Sequence, residues 1–334
     1  MIRDKSNFLV VVYTRLRGIS LGLCLLFCSA LVQAQAPALP VKLGIIYNGV
    51  EYYSVFIADK KGFFKKNGLD VEIISTSSSS RSVQMVATRA IDIGSSSWLD
   101  AVRAMHGGAE VKSFANGLHT SITMLIGAKD IQSLQDLKGK RVSTGGAKDI
   151  TNVWWNAMLR SVGLDPQKDA EVIFAGASSA RFAALAAGGV QAAVVGPPLS
   201  FKAIQDGYKD LGIMGPYLPN VPYMTWHANS DWLQKNTDAL VRFVRANNDA
   251  IDFIYANRQE AAQVLASSSG VSIDDALKTH DMVLKVRGFN TDSSVKPEGV
   301  KGILEVLVDF GDIKDPKPLP FYYDDKYVKA ASAK

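Results

Sequence analysis

The chain has 334 residues, of which 47% are apolar and 21% are charged, and this composition is typical of a globular protein of one or two domains. Its formal net charge of +5 comes from 37 basic and 32 acidic side chains. Without the first 34 residues, 33 basic side chains remain against 31 acidic ones. This balance excludes the strong positive field that binding to nucleic acid or to anionic lipid requires.

The first 34 residues have the layout of a secretory signal peptide. Basic side chains precede a short apolar run, and Val32 and Ala34 suit a cleavage site directly after Ala34. The run is shorter than the roughly 20 apolar residues that cross a bilayer, although an uncleaved anchor is the alternative. Cleavage would remove Cys24 and Cys28, the two cysteines of the chain. The exported chain would then have no disulfide, thiolate metal site or cysteine nucleophile.

Beyond this leader, hydrophobic periodicity predicts the order strand, helix, strand, helix, strand, helix twice over. The first copy is predicted at residues 41–47, 52–66, 69–74, 83–90, 91–94 and 98–105. The second copy is predicted at residues 140–144, 152–161, 170–175, 179–187, 190–195 and 198–205. This alternation predicts an α/β fold with a parallel sheet and helices on both of its faces.

Short sequence similarities support the two copies. Residues 67–70 (NGLD) are matched by 162–165 (VGLD), and 89–92 (RAID) by 188–191 (GGVQ), at offsets of 95 and 99 residues. Solenoid repeats are about 20–50 residues long, so an internal repeat of this length predicts two similar lobes instead.

The last third of the chain is predicted to be mostly helical, with helices at 238–255, 260–266, 273–283 and 296–310. We expect this tail to fold back onto the first lobe, so that the chain crosses between lobes near 126–130 and near 217–226. The predicted domains are a signal peptide at 1–34, a discontinuous first lobe at 41–128 and 222–334, and a second lobe at 129–221.

Four segments carry a resemblance to a known family. They are GFFKKNGLDVE at 62–72, LQDLKGKRV at 134–142, ALVRFVRA at 239–246 and AIDFI at 250–254. Together they resemble the periplasmic solute-binding proteins of the sulfonate, nitrate and thiamine-precursor (NMT1/THI5-like) group. Arg89 stands where that family usually has glycine, and Gln191 where it usually has aspartate.

The resemblance implies a two-lobed, type II periplasmic-binding-protein fold (a Venus flytrap) with two hinge crossings and a helical C-terminal tail. It also implies a location in the periplasm and closure of the hinge around a bound solute. The implied partners are a small-molecule solute and an inner-membrane ABC permease, with no nucleic acid, and the protein is expected to be a monomer.

Ligands of open α/β sheets bind beyond the carboxyl ends of the strands, so the strand-to-helix loops of both lobes are candidates for a cleft. Residues 95–97 are serines that could bind an anion or merely cap a helix, and residues 144–146 could approach a ligand or form a simple turn. Tyr47 and Trp98 could stack on a planar ligand or pack in the core. The predicted ligand-binding residues are Tyr47, Asn48, Ser95, Ser96, Ser97, Trp98, Thr144, Gly145, Gly146, Pro197 and Pro198, with His119 and Trp226 near the crossings.

No sequence motif predicts catalysis. Residues 94–98 (GSSSW) do not complete a nucleophile elbow, neither H-E-x-x-H nor a P-loop sequence occurs, and the four histidines lack metal-binding spacing. We therefore expect no catalytic residue, no metal and no cofactor. The loops favour a small polar or anionic solute, such as a sulfonate, an aromatic carboxylate or a pyrimidine-like compound. The alternatives are an exported enzyme on the same scaffold and a ligand-sensing subunit of a membrane receptor.

Overall fold

The computed structural model describes residues 37–46 and 49–333. The predicted signal peptide at 1–34 lies outside the described residues, and so do Tyr47 and Asn48. The strands are β1 (Leu39–Ile45), β2 (Leu69–Ser75), β3 (Ile93–Ser97), β4 (Val111–Asn116), β5 (Met124–Gly127), β6 (Lys140–Thr144), β7 (Ala170–Phe174), β8 (Ala192–Val195), β9 (Lys209–Ile213) and β10 (Met224–Asn229).

The helices follow the strands in the predicted alternation and then fill the C-terminal tail. They are α1 (Tyr53–Lys60), α2 (Phe63–Lys66), α3 (Ser79–Ala87), α4 (Trp98–His106), α5 (Ile150–Arg160), α6 (Ser178–Ala186), α7 (Leu199–Gln205), α8 (Ser230–Lys235), α9 (Thr237–Ala256), α10 (Arg258–Ser269), α11 (Ile273–Lys285), α12 (Pro297–Asp309) and α13 (Lys326–Ser332). Within residues 37–46 and 49–333, no helix has both the length and the apolar sequence needed to cross a membrane.

The strands form two five-stranded sheets with the same topology. The first sheet has the order β2-β1-β3-β10-β4, and the second has the order β7-β6-β8-β5-β9. Corresponding positions are therefore filled by corresponding strands, as the internal repeat predicts. The two sheets with their flanking helices give the two-lobed α/β architecture expected from the sequence.

Each sheet is mixed, which corrects the prediction of a parallel sheet. β10 is antiparallel to both of its neighbours in the first sheet, and β5 is antiparallel to both of its neighbours in the second. Each of these strands enters its sheet just after the chain has crossed from the other one. Along the chain, β5 is the first strand of its sheet and β10 is the last strand of its sheet, so in both sheets the antiparallel strand is the one next to a crossing.

The first crossing lies earlier than predicted. β5 begins at Met124 and pairs with β8 and β9, so the chain has already entered the second sheet by that residue. The crossing therefore occupies residues 117–123 rather than 126–130, and β5 falls inside the range 41–128 that was assigned to the first lobe. Apart from this strand, the lobe boundaries stay a prediction.

The helical tail packs on the first sheet's helices because α9 is strongly amphipathic. Its buried stripe includes Leu240, Phe243, Val244, Ile251 and Ile254, which recur at helical spacing. This stripe faces α1, α2 and α13. Farther along the tail, α10 packs against α1 and α11, and α12 packs against α4.

Candidate ligand-binding cleft

A cavity of about 450 Å³ lies where the carboxyl ends of strands from both sheets face each other. Its volume is in the range of small-molecule sites. The first lobe contributes its lining from the ends of β1 and β3, and the second lobe contributes the loops after β6 and β7. The lining residues are Ile46, Glu51, Tyr52, Ser79, Ser96, Ser97, Asp100, Asp149, Ile150, Thr151, Ala177, Ser178, Ser179, Arg181, Tyr223 and Met224.

Serine hydroxyl groups line the first-lobe wall. Ser97 caps α4, because its Oγ accepts a hydrogen bond from the amide of Asp100 at 3.1 Å and donates to the Asp100 carboxylate at 2.9 Å. The amide of Ser97 in turn donates to Ser79 Oγ at 3.0 Å. The Asp100 carboxylate is paired with Arg103 at 3.0 Å. This wall is thus an ordered hydroxyl surface in which the charge of Asp100 is compensated.

A buried arginine dominates the second-lobe wall. Arg181 is only 6% exposed. Its Nε donates to the backbone oxygen of Val194 at 2.5 Å, its Nη1 donates to the backbone oxygen of Gly176, and its Nη2 donates to Ser178 Oγ at 2.9 Å. These acceptors are neutral oxygens, and they fix the orientation of the guanidinium on this wall.

The start of α6 adds to this positive wall. The helix begins after Ala177 without a side-chain cap, and its first turn contains no acidic residue. Its first amide groups therefore lack intrahelical partners, and the helix dipole places positive potential at this end. Ser178 and Ser179, which line the cavity, are the first residues of the helix. With Arg181 beside it, this helix start is suited to receiving an anionic group.

The start of α5 is, by contrast, already capped. Asp149 accepts hydrogen bonds from the amide of Thr151 at 2.8 Å and from its hydroxyl group at 2.5 Å. The same hydroxyl accepts a hydrogen bond from the amide of Gly145 at 2.9 Å. The carboxylate of Asp149 thus compensates the dipole of this helix and brings a negative charge to the cavity lining.

Tyr223 and Met224 form the floor, where the second crossing enters β10. The amide of Tyr223 donates to the backbone oxygen of His119 at 3.1 Å, so the two crossings are hydrogen-bonded here. The Tyr223 ring lies 5.9 Å from that of Trp154 on α5. Burial raises the pKa of the Tyr223 phenol well above its usual value, and the nearby charges of Glu51 and Asp149 raise it further. The floor therefore carries a neutral phenol group.

Of the serines predicted to bind ligand, Ser96 and Ser97 line the cavity and Ser95 does not. Ser95 is fully buried, and its hydroxyl oxygen lies 3.1 Å from the backbone oxygen of Gly44 and 3.0 Å from the Tyr52 hydroxyl. The three serines complete β3, and Ser97 is also the N-cap of α4, as the capping alternative predicts.

The two predicted tryptophans lie in the cores and not in the cleft. The indole nitrogen of Trp98 donates to Asn116 Oδ1 at 2.9 Å, and the side chain is fully buried. Trp226 is also fully buried, and its ring packs at 5.2 Å from that of Phe243 on α9 and at 6.4 Å from that of Tyr52. Trp98 thus follows its core-packing alternative, and the prediction that Trp226 contacts ligand is not supported by its burial.

The predicted loop residues of the second lobe lie behind the cavity surface. Thr144 is fully buried at the end of β6, and residues Gly145 and Gly146 form the turn that leads to the capping residue Asp149. Pro197 and Pro198 are half-buried before α7 and are joined by a cis peptide bond. Among the described residues, none of these five predicted positions lines the 450 Å³ cavity.

His119 lines a different and larger groove, of about 980 Å³, between β9 and α11. Its Nδ1 lies 3.3 Å from Asn116 Nδ2, and burial together with the charge of Lys296 lowers its pKa. Tyr47 and Asn48 lie outside the described residues, so their part in ligand binding stays a prediction.

Sequence reasoning missed Arg181 and Tyr223. Tyr223 lies three residues before Trp226 in the predicted second crossing, and Tyr223, not Trp226, lines the cavity. Arg181 follows the Ser178-Ser179 pair by less than one helical turn. This closeness to two serines at a helix start was the sequence feature that could have indicated Arg181 as a cavity residue. An arginine in an ordinary helix is usually solvated, and only the folded chain shows that this one is buried.

Comparison with known proteins agrees with this architecture. The family model described as NMT1/THI5 like matches residues 50–261, which is more than half of the chain. The putative binding protein YtlA of Bacillus subtilis (strain 168) is 26% identical over 262 residues, which cover 76% of this chain and 74% of that protein. A Saccharomyces cerevisiae protein named 4-amino-5-hydroxymethyl-2-methylpyrimidine phosphate synthase THI11 is 26% identical over 116 residues, or 34% of each chain.

A solved structure extends the comparison to the whole fold. The periplasmic aliphatic sulphonate binding protein SsuA of Escherichia coli superposes with a TM-score of 0.66 at 16% identity and covers 83% of this chain and 88% of that one. The predicted family and fold class are thereby confirmed. This chain belongs to the NMT1/THI5-like family and has the two-lobed fold of the periplasmic substrate-binding proteins of ABC importers.

Proposed function

We propose that this protein is the substrate-binding component of an ABC importer that captures a small polar or anionic organic solute in the periplasm. The observation that carries the proposal is the cavity between facing strand ends, with the buried Arg181 on one wall and serine hydroxyl groups on the other. The sulphonate named for the Escherichia coli structure is a solute of this chemical kind.

Capture proceeds by hinge closure. A solute would first contact the open wall of one lobe, and rotation about the two crossings would then bring the second wall against it. Arg181 and the start of α6 would hold an anionic group, while Ser96 and Ser97 would offer hydroxyl groups to its polar atoms. A dissociation constant of about 1 μM corresponds to about −8.2 kcal/mol, which several hydrogen bonds and one charged contact can supply.

Delivery requires a membrane partner. An inner-membrane permease would recognise the closed, loaded form and accept the solute when the lobes reopen. We propose a monomer as the working form, since one chain provides both walls of the cavity. We also propose that residues 1–34 direct export and are cleaved after Ala34.

A thermal-shift screen of organic anions and polar heterocycles against the purified protein tests the proposal. We expect at least one solute to raise the melting temperature, to bind in calorimetry at micromolar concentration and to compact the protein in small-angle scattering. Deletion of the gene is expected to abolish uptake of the same solute. The proposal would be overturned if no solute in a broad panel stabilised the protein, or if a bound solute left uptake unchanged after deletion.

An exported enzyme on the same scaffold is the second candidate, and the partial similarity to the yeast synthase THI11 favours it. The cysteines of this chain are Cys24 and Cys28, both within the predicted leader, so a cysteine-dependent reaction would have no nucleophile after cleavage. Incubation of the protein with the solute that binds, followed by mass analysis of the solute, separates the candidates. Chemical conversion of the solute would support the enzyme.

A further inference from the structure

Ser96, on the first-lobe wall of the cavity, has a buried histidine behind it. Ser96 lies near the end of β3, and His227 lies on the neighbouring strand β10. The Nδ1 atom of His227 lies 3.3 Å from Ser96 Oγ, and it is the only hydrogen-bond partner of this hydroxyl group among the described residues. Both side chains are fully buried, and Ser96 still bounds the cavity. The imidazole of His227 is therefore placed to orient this hydroxyl group.

The other ring nitrogen of His227 lies in a tightly packed place beside Gly94. Within residues 37–46 and 49–333, Nε2 has no hydrogen-bond partner, and it lies 2.9 Å from the position that a Cβ atom on Gly94 would take. A methyl group of Val86 and the hydroxyl oxygen of Ser82 adjoin the same position. Glycine at residue 94 thus leaves the room that the imidazole ring occupies.

The location of the ring proton follows from these surroundings. Burial lowers the pKa of His227 to about 3, so the ring is neutral and carries one proton, on Nδ1 or on Nε2. On Nε2 the N–H group would be buried without an acceptor, and such groups are rare in folded proteins. On Nδ1 the N–H group has Ser96 Oγ within reach. A hydrogen bond between the ring and the backbone of Thr225 raises the pKa in part, as expected when a ring N–H donates to a carbonyl oxygen.

A proton on Nδ1 decides what Ser96 can offer to a solute. An oxygen that accepts a hydrogen bond from Nδ1 cannot donate its own proton to the same nitrogen. The part of the chain that the structure describes provides no other acceptor for this hydroxyl group. The O–H group is therefore left to donate toward the cavity that Ser96 bounds.

We propose that His227 is a positioning residue for solute binding, whose Nδ1–H group holds the oxygen of Ser96 so that the Ser96 hydroxyl group donates into the cavity. The solute then presents a hydrogen-bond acceptor to the first-lobe wall, such as a sulfonate, carboxylate or carbonyl oxygen. This inference rests on the proposed function and narrows it, because it excludes solutes that offer only donors at this wall.

The position of the ring proton can be measured without any solute. In protein with isotope-labelled histidine, long-range proton–nitrogen correlation spectra distinguish a protonated ring nitrogen from a bare one. His227→Asn identifies which signals belong to His227. We expect the proton of His227 on Nδ1 at neutral pH, and a proton on Nε2 would overturn the inference.

Two substitutions of His227 separate hydrogen bonding from packing. His227→Asn can place an amide N–H group where Nδ1 lies, whereas His227→Leu fills a similar volume without a donor. Affinities are measured by calorimetry with benzenesulfonate, with benzoate and with the tightest-binding solute of the broad panel. We expect His227→Leu to bind about fivefold more weakly or worse, and His227→Asn to stay within about twofold of wild type. Equal losses in both variants, or no loss in His227→Leu, would contradict the positioning role.

A double-mutant cycle shows whether His227 acts through Ser96. Ser96→Ala alone should weaken binding by about fivefold to tenfold, because the cavity loses a donor. In that background His227→Leu should cause no further loss, since no hydroxyl group remains to be oriented. A loss of the same size with and without the Ser96 hydroxyl group would show that His227 only supports the strand, and the inference would fall.

His280→Leu is the matched control for the loss of a buried imidazole. His280 is also fully buried, and its Nδ1 lies 3.0 Å from the Tyr53 hydroxyl oxygen. It is not one of the residues that line the 450 Å³ cavity. Its replacement should therefore leave the affinity for solute unchanged, and a loss equal to that of His227→Leu would show that the effect is not specific to Ser96.

Failure of this inference can be distinguished from failure of the proposed function. If a solute binds but the ring proton or the double-mutant cycle contradicts the role of His227, importer function stands and only the inference falls. The inference also falls alone if the solute that binds has no hydrogen-bond acceptor. If no solute binds at all, the proposed function falls, and the inference falls with it.

Discussion

Arg103 Nη2 donates a hydrogen bond of 2.8 Å to the backbone oxygen of Lys148, and this bond joins the helix after β3 to the loop after β6. Arg103 Nε donates to Asp312 at 2.7 Å, and Lys148 forms an ion pair with the same carboxylate. The Asp312 side chain is only 6% exposed. We call Arg103, Lys148 and Asp312 the inter-lobe bridge, since it holds the two lobes together beside the cavity.

Asp312→Asn should loosen the inter-lobe bridge. We expect a larger radius of gyration for the ligand-free protein and an affinity for solute that is lower by about fivefold or more, because closure loses a charge contact. Scattering and calorimetry measure the two effects. Asp206→Asn is the control, because Asp206 is the exposed C-cap of α7 and pairs with Lys202 on the same helix. Identical scattering profiles for wild type and Asp312→Asn would show that Asp312 has no role in closure of the two lobes.

The inter-lobe bridge should persist over the neutral and mildly acidic range. Burial opposes ionisation of Asp312, but hydrogen bonds from Lys148 and Arg103 outweigh it and hold the pKa of the carboxyl below its usual value. The contribution of a carboxyl with a lowered pKa is complete above its unfolded value of about 3.9 and is lost as the pH falls through the lower folded value. Scattering profiles should thus agree from neutral pH to about pH 5. If the lobes opened between neutral pH and about pH 5, the lowered pKa of Asp312 would be contradicted.

His227 should make the protein less stable in mild acid. Burial lowers the pKa of this fully buried imidazole to about 3, and its Nδ1 lies 3.3 Å from Ser96 Oγ. Below about pH 6.5 the His227 imidazole is protonated in the unfolded chain but stays neutral in the folded chain. The free energy of unfolding should therefore fall by about 1.4 kcal/mol per pH unit. Denaturant unfolding between pH 7 and pH 4 measures the slope. His227→Gln should flatten it, and an equal slope in both proteins would show that His227 is not responsible.

Trp154 should report ligand binding through its fluorescence. It lies one turn after the cavity residues Ile150 and Thr151, and its ring lies 5.9 Å from that of Tyr223 on the cavity floor. We expect Trp154→Phe to lose most of the emission change that a bound solute causes. Trp98→Phe is the control and should keep the change. The reverse result would restore the original assignment of Trp98 to the cleft.

Thr144→Val should leave binding unchanged and keep or raise stability. The hydroxyl of Thr144 is buried and has no hydrogen-bond partner among the described residues, so an apolar group of the same shape suits the site. Thr225→Val is the control, because the Thr225 hydroxyl donates to the backbone oxygen of Ala115 at 3.1 Å. The control should lose about 1 kcal/mol in thermal or denaturant unfolding. Weaker solute binding in Thr144→Val would show that the hydroxyl reaches the ligand.

The two-lobed fold could be predicted because strand and helix alternation is a local pattern. The antiparallel strands could not, since β5 has only four residues and its partners lie far away along the chain. β10 begins inside the segment that was expected to be a plain crossing. Pairing over such distances depends on the path of the chain and leaves no periodic signal.

The location of the candidate site at the carboxyl ends of the strands could be predicted from the sequence. Most of the side chains that line it could not. Ser96 and Ser97 were found because the backbone alone places them at the end of β3. Trp226 was misplaced because strand alternation turns it toward α9, a helix that comes later in the chain. Arg181 was missed because its burial depends on carbonyl groups of Val194 and Gly176, which only folding brings beside it.

The shared sheet order has a consequence for the sequence of events in folding. All strands of the second sheet lie in one continuous stretch, 124–213, so that sheet can be completed as soon as this stretch is available. The first sheet cannot, because β3 and β4 are separated by the place of β10 and do not touch without it. The half of the molecule that begins first along the chain therefore cannot complete its sheet until the chain has reached Asn229.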